Sequence, residues 1–276
     1  MSHPTTEHVP GAPRLAYDRA GAGPLVVFLH GIGGNRTNWS DQLPAFAAAG
    51  YTAVSWDARG YLGSEDYDGP LAFADFSADL VRLLDHLGVG RAHLCGLSMG
   101  GRIAQDAYFR RPDRVATLTL CDTHGGFSHL SPEARADYVA ARREPLLAGK
   151  EPRDIAPGLV ERLAGPNASA AMRQRLFDSI AALRKESYIK SLEATVEQDT
   201  IGDLSAVAVP THFVVGEHDQ LTTPEIVRRM AEQVVGSRFT LIEDAGHLVN
   251  IERPDVFNAA VLDFLAPHKD RADAPA

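Results

Sequence analysis

The chain has 276 residues, of which 45% are apolar and 23% are charged, and its net charge at pH 7 is −9. This length and apolar content are sufficient for the core of one large globular domain. The negative charge argues against a nucleic-acid partner or an anionic membrane surface, because no cluster of lysine and arginine offsets it. Residues 1–25 contain no apolar run of signal-peptide length and no later stretch could span a bilayer, so the expected location is the cytoplasm.

The cysteines and glycine-rich stretches do not predict a cofactor. Cys95 and Cys121 close consecutive predicted strands, and we expect both to be buried, reduced thiols. No Cys-x-x-Cys pair and no His/Cys spacing of a zinc site is present. A glycine-rich loop follows residue 29, but it lacks both the P-loop pattern and the dinucleotide fingerprint. The sequence therefore predicts neither a metal nor a nucleotide.

Strands and helices alternate over the first 124 residues. Residues 1–13 are polar and rich in proline, and we expect them to form a flexible tail. The run Leu-Val-Val-Phe-Leu at 25–29 has the length and composition of a strand buried on both faces of a parallel sheet. The alternation predicts an α/β fold with a doubly wound, mostly parallel sheet. The other predicted elements are strands at 14–19, 51–56, 91–95 and 115–121, and helices at 39–49, 73–87 and 102–108.

The alternation stops after residue 124 and resumes near residue 206. Between them we predict four helical stretches and no strand, and we interpret residues 125–205 as a helical cap, or lid, over the carboxyl edge of the sheet; a separate helical domain is the alternative. This segment has 11 Lys/Arg and 12 Asp/Glu, so it does not predict a cationic clamp for an anionic substrate. The four helices are predicted at 132–147, 155–163, 168–185 and 188–197.

The chain after the cap returns to the same pattern, and it completes a core domain formed by residues 14–124 and 206–268. The remaining residues, 269–276, are polar and are predicted to form a second flexible tail. The predicted elements of this section are strands at 211–216 and 238–242 and helices at 224–235 and 254–265.

A serine lies in a pentapeptide of the pattern Gly-x-Ser-x-Gly, at 96–100. A predicted strand enters this pentapeptide and a predicted helix leaves it, which places Ser98 on a strand-to-helix turn. Such a turn strains the serine backbone and requires residues without bulky side chains two positions on either side, where glycines stand. The hydroxyl of Ser98 would then lie at a helix N-terminus, whose dipole favours developing negative charge. The pentapeptide alone is also compatible with an ordinary glycine-rich turn.

An acid and a base follow later strands of the predicted sheet. Asp219 ends the sequence Gly-Glu-His-Asp, and His247 ends a Gly-His pair, each just after a strand. Because parallel strands share one carboxyl edge, we expect both side chains near Ser98. His247 would accept the proton of Ser98, and Asp219 would orient the imidazole. The backbone N–H groups of Ile32 and Met99 would form an oxyanion hole.

These motifs resemble, in their order along the chain, those of the α/β-hydrolase superfamily over nearly the whole length. The closest likeness is to the branch of 3-oxoadipate enol-lactonases and related carboxylesterases and lactonases. The resemblance implies a cofactor-independent serine hydrolase whose triad is Ser98, Asp219 and His247. The motifs that carry it are Phe-Leu-His-Gly at 28–31, Trp-Asp-Ala-Arg-Gly at 56–60, Gly-Leu-Ser-Met-Gly-Gly at 96–101, Gly-Glu-His-Asp at 216–219, and the stretch from Gly-His at 246–247 to residue 254.

Two departures narrow the activity that the resemblance implies. Epoxide hydrolases and haloalkane dehalogenases of this fold carry an aspartate where Ser98 stands. Carbon–carbon bond hydrolases of the fold usually carry tryptophan directly after the catalytic histidine, and this chain has Leu248. We therefore expect hydrolysis of a small-molecule carboxylic ester or lactone through an acyl-enzyme on Ser98. The alternatives are a carbon–carbon bond hydrolase of a ring-cleavage diketone and a hydrolase-fold ligand receptor with little turnover.

Three residues are candidates for the substrate pocket: Trp39, His30 and His124. Trp39 fits equally well as a helix anchor packed on the sheet. His30 is interpreted as a residue that orders the oxyanion loop rather than as a base, because it has no acid partner in that loop.

Other polar residues near the predicted edge have alternative interpretations. Asp122 also ends a strand, and some members of the superfamily draw their acid from that position, although the context of Asp219 fits better. Arg59 is expected to brace a loop. His218, His124 and His129 are interpreted as ordinary loop or pocket-edge histidines. The sequence leaves a homo-oligomer open.

Overall fold

The computed structural model of the chain describes residues 4–128, 130–198 and 201–275, and these build an eight-stranded sheet in the order β1-β2-β4-β3-β5-β6-β7-β8. β1 pairs antiparallel with β2 and β2 with β4, whereas every other neighbouring pair is parallel. The predicted mostly parallel sheet is therefore confirmed. The strands are β1 Thr5–Val9, β2 Leu15–Gly21, β3 Leu25–Leu29, β4 Thr52–Trp56, β5 Ala92–Leu97, β6 Val115–Cys121, β7 Thr211–Gly216 and β8 Arg238–Ile242.

Helices pack on the sheet, and the apolar side chains between them form two buried clusters. One cluster contains side chains of α2 and α3, such as Phe76 and Ile103. The other contains Phe46 from α1 and Phe257 from α10, together with the buried free thiols of the two cysteines. The helices are α1 Gln42–Ala48, α2 Ala74–His86, α3 Met99–Arg110, α4 Pro132–Leu147, α5 Pro152–Leu163, α6 Ala170–Ala181, α7 Lys185–Glu197, α8 Pro224–Ala231, α9 Val249–Glu252 and α10 Pro254–Leu265, with short 3₁₀ turns at Arg36–Trp39, Pro112–Arg114, Leu204–Ala206 and Ala266–Arg271.

The prediction of a flexible N-terminal tail is wrong for β1. This strand pairs with β2 in register from Thr5 opposite Arg19 to Val9 opposite Leu15. Its side chains are mostly exposed, and only Val9 is buried. Main-chain hydrogen bonds at the sheet edge therefore hold the segment, and an edge strand of this kind has little hydrophobic pattern to reveal it.

The C-terminal segment is also fixed where a flexible tail was predicted. After the 3₁₀ turn at Ala266–Arg271, the carbonyl of Asp273 accepts a hydrogen bond from the amide of Leu25 at 2.8 Å. The amide of Asp273 donates to the carbonyl of Arg91 at 2.9 Å, and its carboxylate accepts from the amide of Arg91. Asp273 thus ties the end of the chain to the residues that begin β3 and precede β5.

Four helices, α4 to α7, occupy the segment between β6 and β7, near the positions that the sequence predicts, and we call residues 125–205 the helical insertion. His129 lies outside the described residues. Arg175 on α6 contacts the segment before α1 of the sheet domain. Its guanidinium bonds to the carboxylate of Asp41, the carbonyl of Thr37 and the hydroxyl of Ser40.

Of the helices that the structure describes, none is both long and apolar enough to cross a membrane.

Candidate active site

The backbone of Ser98 is strained at the junction of β5 and α3. Its φ and ψ angles are 55° and −117°, a backbone conformation that residues other than glycine rarely adopt. Two close approaches explain the flanking glycines: a Cβ atom on Gly96 would lie 2.2 Å from the carbonyl oxygen of Gly100, and one on Gly100 would lie 2.1 Å from that of Leu29. Ser98 itself remains partly exposed. The predicted strand-to-helix turn is therefore present.

His247 and Asp219 form a buried pair at the carboxyl edge of the sheet. Nδ1 of His247 lies 2.9 Å from Oδ2 of Asp219, and both residues are at least 95% buried. The amides of Leu221 and Thr222 donate to Oδ1 of Asp219 at 2.8 and 3.1 Å, and the Thr222 hydroxyl donates to Oδ2. Burial opposes ionisation of Asp219, but the charge of His247 and these hydrogen bonds outweigh it and lower the pKa of Asp219 to about 2.

The loop that carries His247 is bonded to the helical insertion. The amide of His247 donates to the carbonyl of Leu163, the last residue of α5, at 2.9 Å. The amide of Gly165 donates to the carboxylate of Glu252 at 2.9 Å. The two backbones approach so closely that a Cβ atom on Gly246 would lie 2.4 Å from the nitrogen of Gly165. The position of His247 therefore depends directly on the end of α5.

Asp122 ends β6 and is fully buried near the pair. Its carboxyl oxygens accept hydrogen bonds from the amides of Gly216 at 2.9 Å and Val249 at 3.3 Å. Burial and the neighbouring charge of Asp219 raise the pKa of Asp122 well above its ordinary value. Asp122 thus bonds to the two backbone segments that carry Asp219 and His247, whereas the imidazole itself bonds to Asp219.

The loop after β3 is ordered by His30. The amide of Ala58 donates to Nε2 of His30 at 3.1 Å, so Nδ1 carries the proton and donates to the carbonyl of Gly31 at 2.8 Å. Burial lowers the pKa of His30 and keeps the ring neutral. Within the chain that the structure describes, the amides of Ile32 in this loop and of Met99 at the start of α3 have no hydrogen-bond acceptor.

A cavity of about 100 Å³ lies between the sheet edge and the insertion, and Ser98 and His247 both line it. Of the three predicted pocket residues, His30 and Trp39 line this cavity and His124 does not. The imidazole of His124 bonds to the backbone of Gly126 and packs at 4.6 Å on the ring of Phe127. The other lining residues are Gly31, Ile32, Gly33, Gly34, Asn38, Leu97, Tyr138, Arg142, Leu159, Arg162, Leu163, Leu176, Ser179, Ile180, Tyr188, Leu221, Leu248 and Asn250.

A family model described as the alpha/beta hydrolase fold matches residues 24–254, a range that includes Ser98, Asp219 and His247. The chain belongs to the α/β-hydrolase fold family.

Known members of this hydrolase family align with most of the chain. A 3-oxoadipate enol-lactonase of Acinetobacter baylyi is 28% identical over 86% of this chain and 87% of its own. A putative non-heme bromoperoxidase of Mycobacterium tuberculosis is 31% identical over 92% and 98%. A 2-hydroxy-6-oxononadienedioate/2-hydroxy-6-oxononatrienedioate hydrolase of Klebsiella pneumoniae is 30% identical over 87% and 86%. The solved structure of a thermophilic esterase from Thermogutta terrifontis superposes with a TM-score of 0.87, at 28% identity, over 97% of this chain and 100% of that one.

The sequence did not identify the residues that the insertion of this α/β-hydrolase contributes to the cavity. Tyr138 and Arg142 come from α4, Arg162 from α5 and Tyr188 from the start of α7. Tyr138 and Arg142 are four residues apart, so they lie on one face of the predicted helix. Their pairing could therefore have been predicted from the sequence. Arg162 and Tyr188 lie on two other helices, and only the tertiary packing brings them to the same cavity.

Polar residues near the carboxyl edge of the sheet that do not line the cavity are bonded to other residues of the protein. Arg59 binds Asp79 through two hydrogen bonds of 2.7 and 2.9 Å, as its predicted bracing role requires. Among the described residues, one group has the side chains of a metal site: Glu217, His218 and Asp244, all exposed. Asn167 and Arg253 already bond to the carboxylate oxygens of Asp244.

Proposed function

We propose that this α/β-hydrolase is a serine hydrolase that cleaves a small carboxylic ester or lactone through an acyl-enzyme on Ser98. The observation that carries the proposal is the buried His247–Asp219 pair, whose His247 lines the same cavity as a serine held in the strained geometry of a nucleophile turn. The enol-lactonase and esterase relatives support the choice of an ester or lactone bond.

The first half of the reaction forms the acyl-enzyme. Oγ of Ser98 attacks the carbonyl carbon of the substrate while Nε2 of His247 takes the hydroxyl proton. Asp219 accepts the Nδ1 proton in its hydrogen bond and stabilises the resulting imidazolium. The unpaired amides of Ile32 and Met99 donate to the oxyanion of the tetrahedral intermediate. Collapse of the intermediate breaks the bond to the alcohol oxygen, which receives the proton from His247.

The second half hydrolyses the acyl-enzyme. His247 removes a proton from water as the water oxygen attacks the acyl carbon, and it returns this proton to Oγ when the intermediate collapses. The products are a carboxylic acid and free Ser98. With a lactone substrate the alcohol remains tethered to the acyl part, so one ring-opened hydroxy acid leaves the enzyme.

We further propose that residues 125–205 serve as a cap over the site. Its helices supply a large part of the cavity wall, and its contacts through Arg175 and Leu163 attach it to the core at two separated points. A cap of this kind excludes water from the oxyanion and selects substrates by shape.

Covalent labelling tests the nucleophile directly. A fluorophosphonate probe should label the wild-type protein at Ser98, and short-chain p-nitrophenyl esters or small lactones should be hydrolysed. Ser98→Ala should abolish labelling and lower kcat by a factor on the order of 10⁴ to 10⁶. Full labelling or turnover in Ser98→Ala would refute the proposal, as would tight binding of an ester by the wild type with negligible turnover.

Carbon–carbon bond hydrolysis is the second candidate, because the Klebsiella relative is named for a substrate of that type. Leu248 stands where such hydrolases usually carry tryptophan. A ring-cleavage diketone should be assayed on the same preparation as the esters. A kcat/KM for the diketone above that for every ester and lactone would transfer the assignment to this candidate.

A further inference from the structure

Two arginines of the helical insertion face the cavity that contains Ser98. Arg142 comes from α4 and Arg162 from the end of α5, and both line the cavity with Ser98 and His247. Among the described residues that line the cavity, none carries a carboxyl group. The lining therefore has an excess of positive charge, although the insertion as a whole is nearly neutral.

Neither of these guanidinium groups pairs with a carboxylate of the residues that the structure describes. Arg142 is half-buried; its Nη1 donates to the carbonyl of Tyr138 at 2.9 Å and its guanidinium lies 3.6 Å from the centre of the Tyr138 ring. In the chain that the structure describes, neither Arg142 nor the more exposed Arg162 has a carboxylate within 4.0 Å. By contrast, the neighbouring Arg143, which does not line the cavity, pairs with Glu193 at 2.8 Å and with Glu144 at 3.0 Å.

A half-buried guanidinium that keeps most of its donors unused is suited to an anionic ligand. Five N–H donors in a planar fork match the two oxygens of a carboxylate, and such a charge-assisted pair strengthens where water is excluded. The aromatic and aliphatic side chains around Arg142 lower the local polarity, and this makes an unpaired cation there costly unless a ligand supplies the counter-charge.

We infer that the substrate is an ester or lactone whose acyl part carries a second carboxyl group, ionised, which binds between Arg142 and Arg162. This inference rests on the proposed function. The scissile carbonyl lies at Ser98, and the distal carboxylate lies on the side of the cavity formed by α4 and α5. Arg142 and Arg162 are then residues that determine specificity, and a neutral acyl chain of the same shape is the poorer substrate.

A matched pair of substrates tests the inference. Monoethyl glutarate presents a distal carboxylate, and the ethyl ester in which an isopropyl group replaces that carboxylate has the same shape without the charge. Turnover of both is followed by proton release, and the measured quantity is the ratio of kcat/KM for the anionic ester to that for the neutral ester. The wild-type ratio should be about tenfold or more, the size expected of a charge-assisted pair. Rising ionic strength should reduce it.

Variants test whether the two arginines cause the preference for the anionic ester. Arg142→Met should lower the ratio about tenfold, and the double variant with Arg162→Met should lower it further. Arg143→Met is the matched control, because it removes an adjacent arginine whose charge is already paired, and its ratio should stay at the wild-type value. A binding measurement avoids turnover: glutarate should raise the Tm of Ser98→Ala, and adding Arg142→Met should remove that shift.

The outcomes separate this inference from the proposed function. If the wild type is labelled at Ser98 and hydrolyses the neutral ester without preferring the anionic one, the inference is refuted and the proposed function stands. A preference that survives in the double variant also refutes it. If neither ester is hydrolysed and Ser98 is not labelled, the proposed function has failed as well.

Discussion

Nδ1 of His247 and Oδ2 of Asp219 lie 2.9 Å apart across the carboxyl edge of the sheet, although 28 residues of chain separate them. Asp219 is ionised, because the environment lowers its pKa to about 2, so the imidazole donates its Nδ1 proton to the carboxylate. This bond leaves Nε2 as the nitrogen that can accept a proton in the cavity. The order of the two nitrogens matches what a general base beside Ser98 requires.

Exchanging the two candidate acids for amides should give unequal losses of activity. Asp219→Asn replaces the acceptor of the Nδ1 proton by an amide and favours the wrong tautomer of His247, so kcat should fall by a factor on the order of 10⁴. Asp122→Asn should keep kcat within about tenfold, because Asp122 bonds to backbone amides rather than to the imidazole. Steady-state ester hydrolysis measures both. An inactive Asp122→Asn beside an active Asp219→Asn would reverse the assignment.

The lowered pKa of Asp219 predicts a loss of stability in acid. A carboxyl group whose folded pKa, about 2, lies below its ordinary value of 3.8 stabilises the fold above pH ~4 and loses this contribution as the pH falls through 2. The contribution at neutral pH is about 2 kcal/mol. Urea unfolding of the wild type and Asp219→Asn should show a difference in unfolding free energy that shrinks below pH 4. The raised pKa of Asp122 acts in the opposite direction and depends in part on the charge of Asp219, so both proteins should be compared in an Asp122→Asn background, where the difference isolates Asp219. A pH-independent difference would contradict this account.

Alanine at two glycines should have opposite effects on stability. A Cβ atom on Gly100 would lie 2.1 Å from the carbonyl oxygen of Leu29, a backbone atom that cannot move aside. Gly100→Ala should therefore destabilise the fold by about 3 kcal/mol or more and abolish activity. Gly158→Ala is the matched control on α5, where a Cβ atom meets open space. It should stabilise the protein by about 0.5–1 kcal/mol, because alanine favours a helix. Equal unfolding free energies for the two variants would be inconsistent with the close approach.

Removal of one arginine should loosen the insertion from the core. Arg175 on α6 bonds to the carboxylate of Asp41, with further bonds to the backbone of the segment before α1. Arg175→Ala should cost about 1–3 kcal/mol in local stability, accelerate amide hydrogen exchange in α6 and raise KM. Arg173→Ala is the control, because Arg173 pairs with Glu161 inside the insertion. If hydrogen exchange in α6 accelerates equally in both variants, the contact between Arg175 and Asp41 does not hold the insertion on the sheet domain.

Buried elements could be predicted from the sequence because burial leaves a pattern. β3 is buried at every position, and its predicted range at 25–29 matches the structure; β7, β8 and α10 agree equally well. β1 and the bonds of Asp273 could not be predicted, since main-chain hydrogen bonds hold both and these do not depend on side-chain type. The sequence pattern therefore predicted even the edge strand β8, but not the two chain ends that main-chain hydrogen bonds tie to the sheet.

The candidate site also contains residues whose place could be predicted from the sequence and residues whose place could not. Ser98, Asp219 and His247 each end or follow a strand, so the parallel order of the sheet was enough to predict that they share an edge. Arg142 and Arg162 lie on helices whose packing cannot be read from the sequence. The near balance of charge in the insertion gave no sign that two arginines without a carboxylate partner among the described residues line the cavity. His124, a candidate for the pocket, does not line the cavity, and its ring packs on Phe127.

The bond from the amide of His247 to the carbonyl of Leu163 links the proposed base to the helical insertion. Leu163 directly follows Arg162 in the chain, so the residue that we propose to bind the distal carboxylate adjoins the residue that bonds to the backbone of His247. The insertion cannot lift from the sheet at this point without releasing the backbone of His247. A movement of α5 relative to the sheet would therefore also move the residue proposed to accept the proton of Ser98, so the packing of α5 and the geometry of the proposed base are coupled.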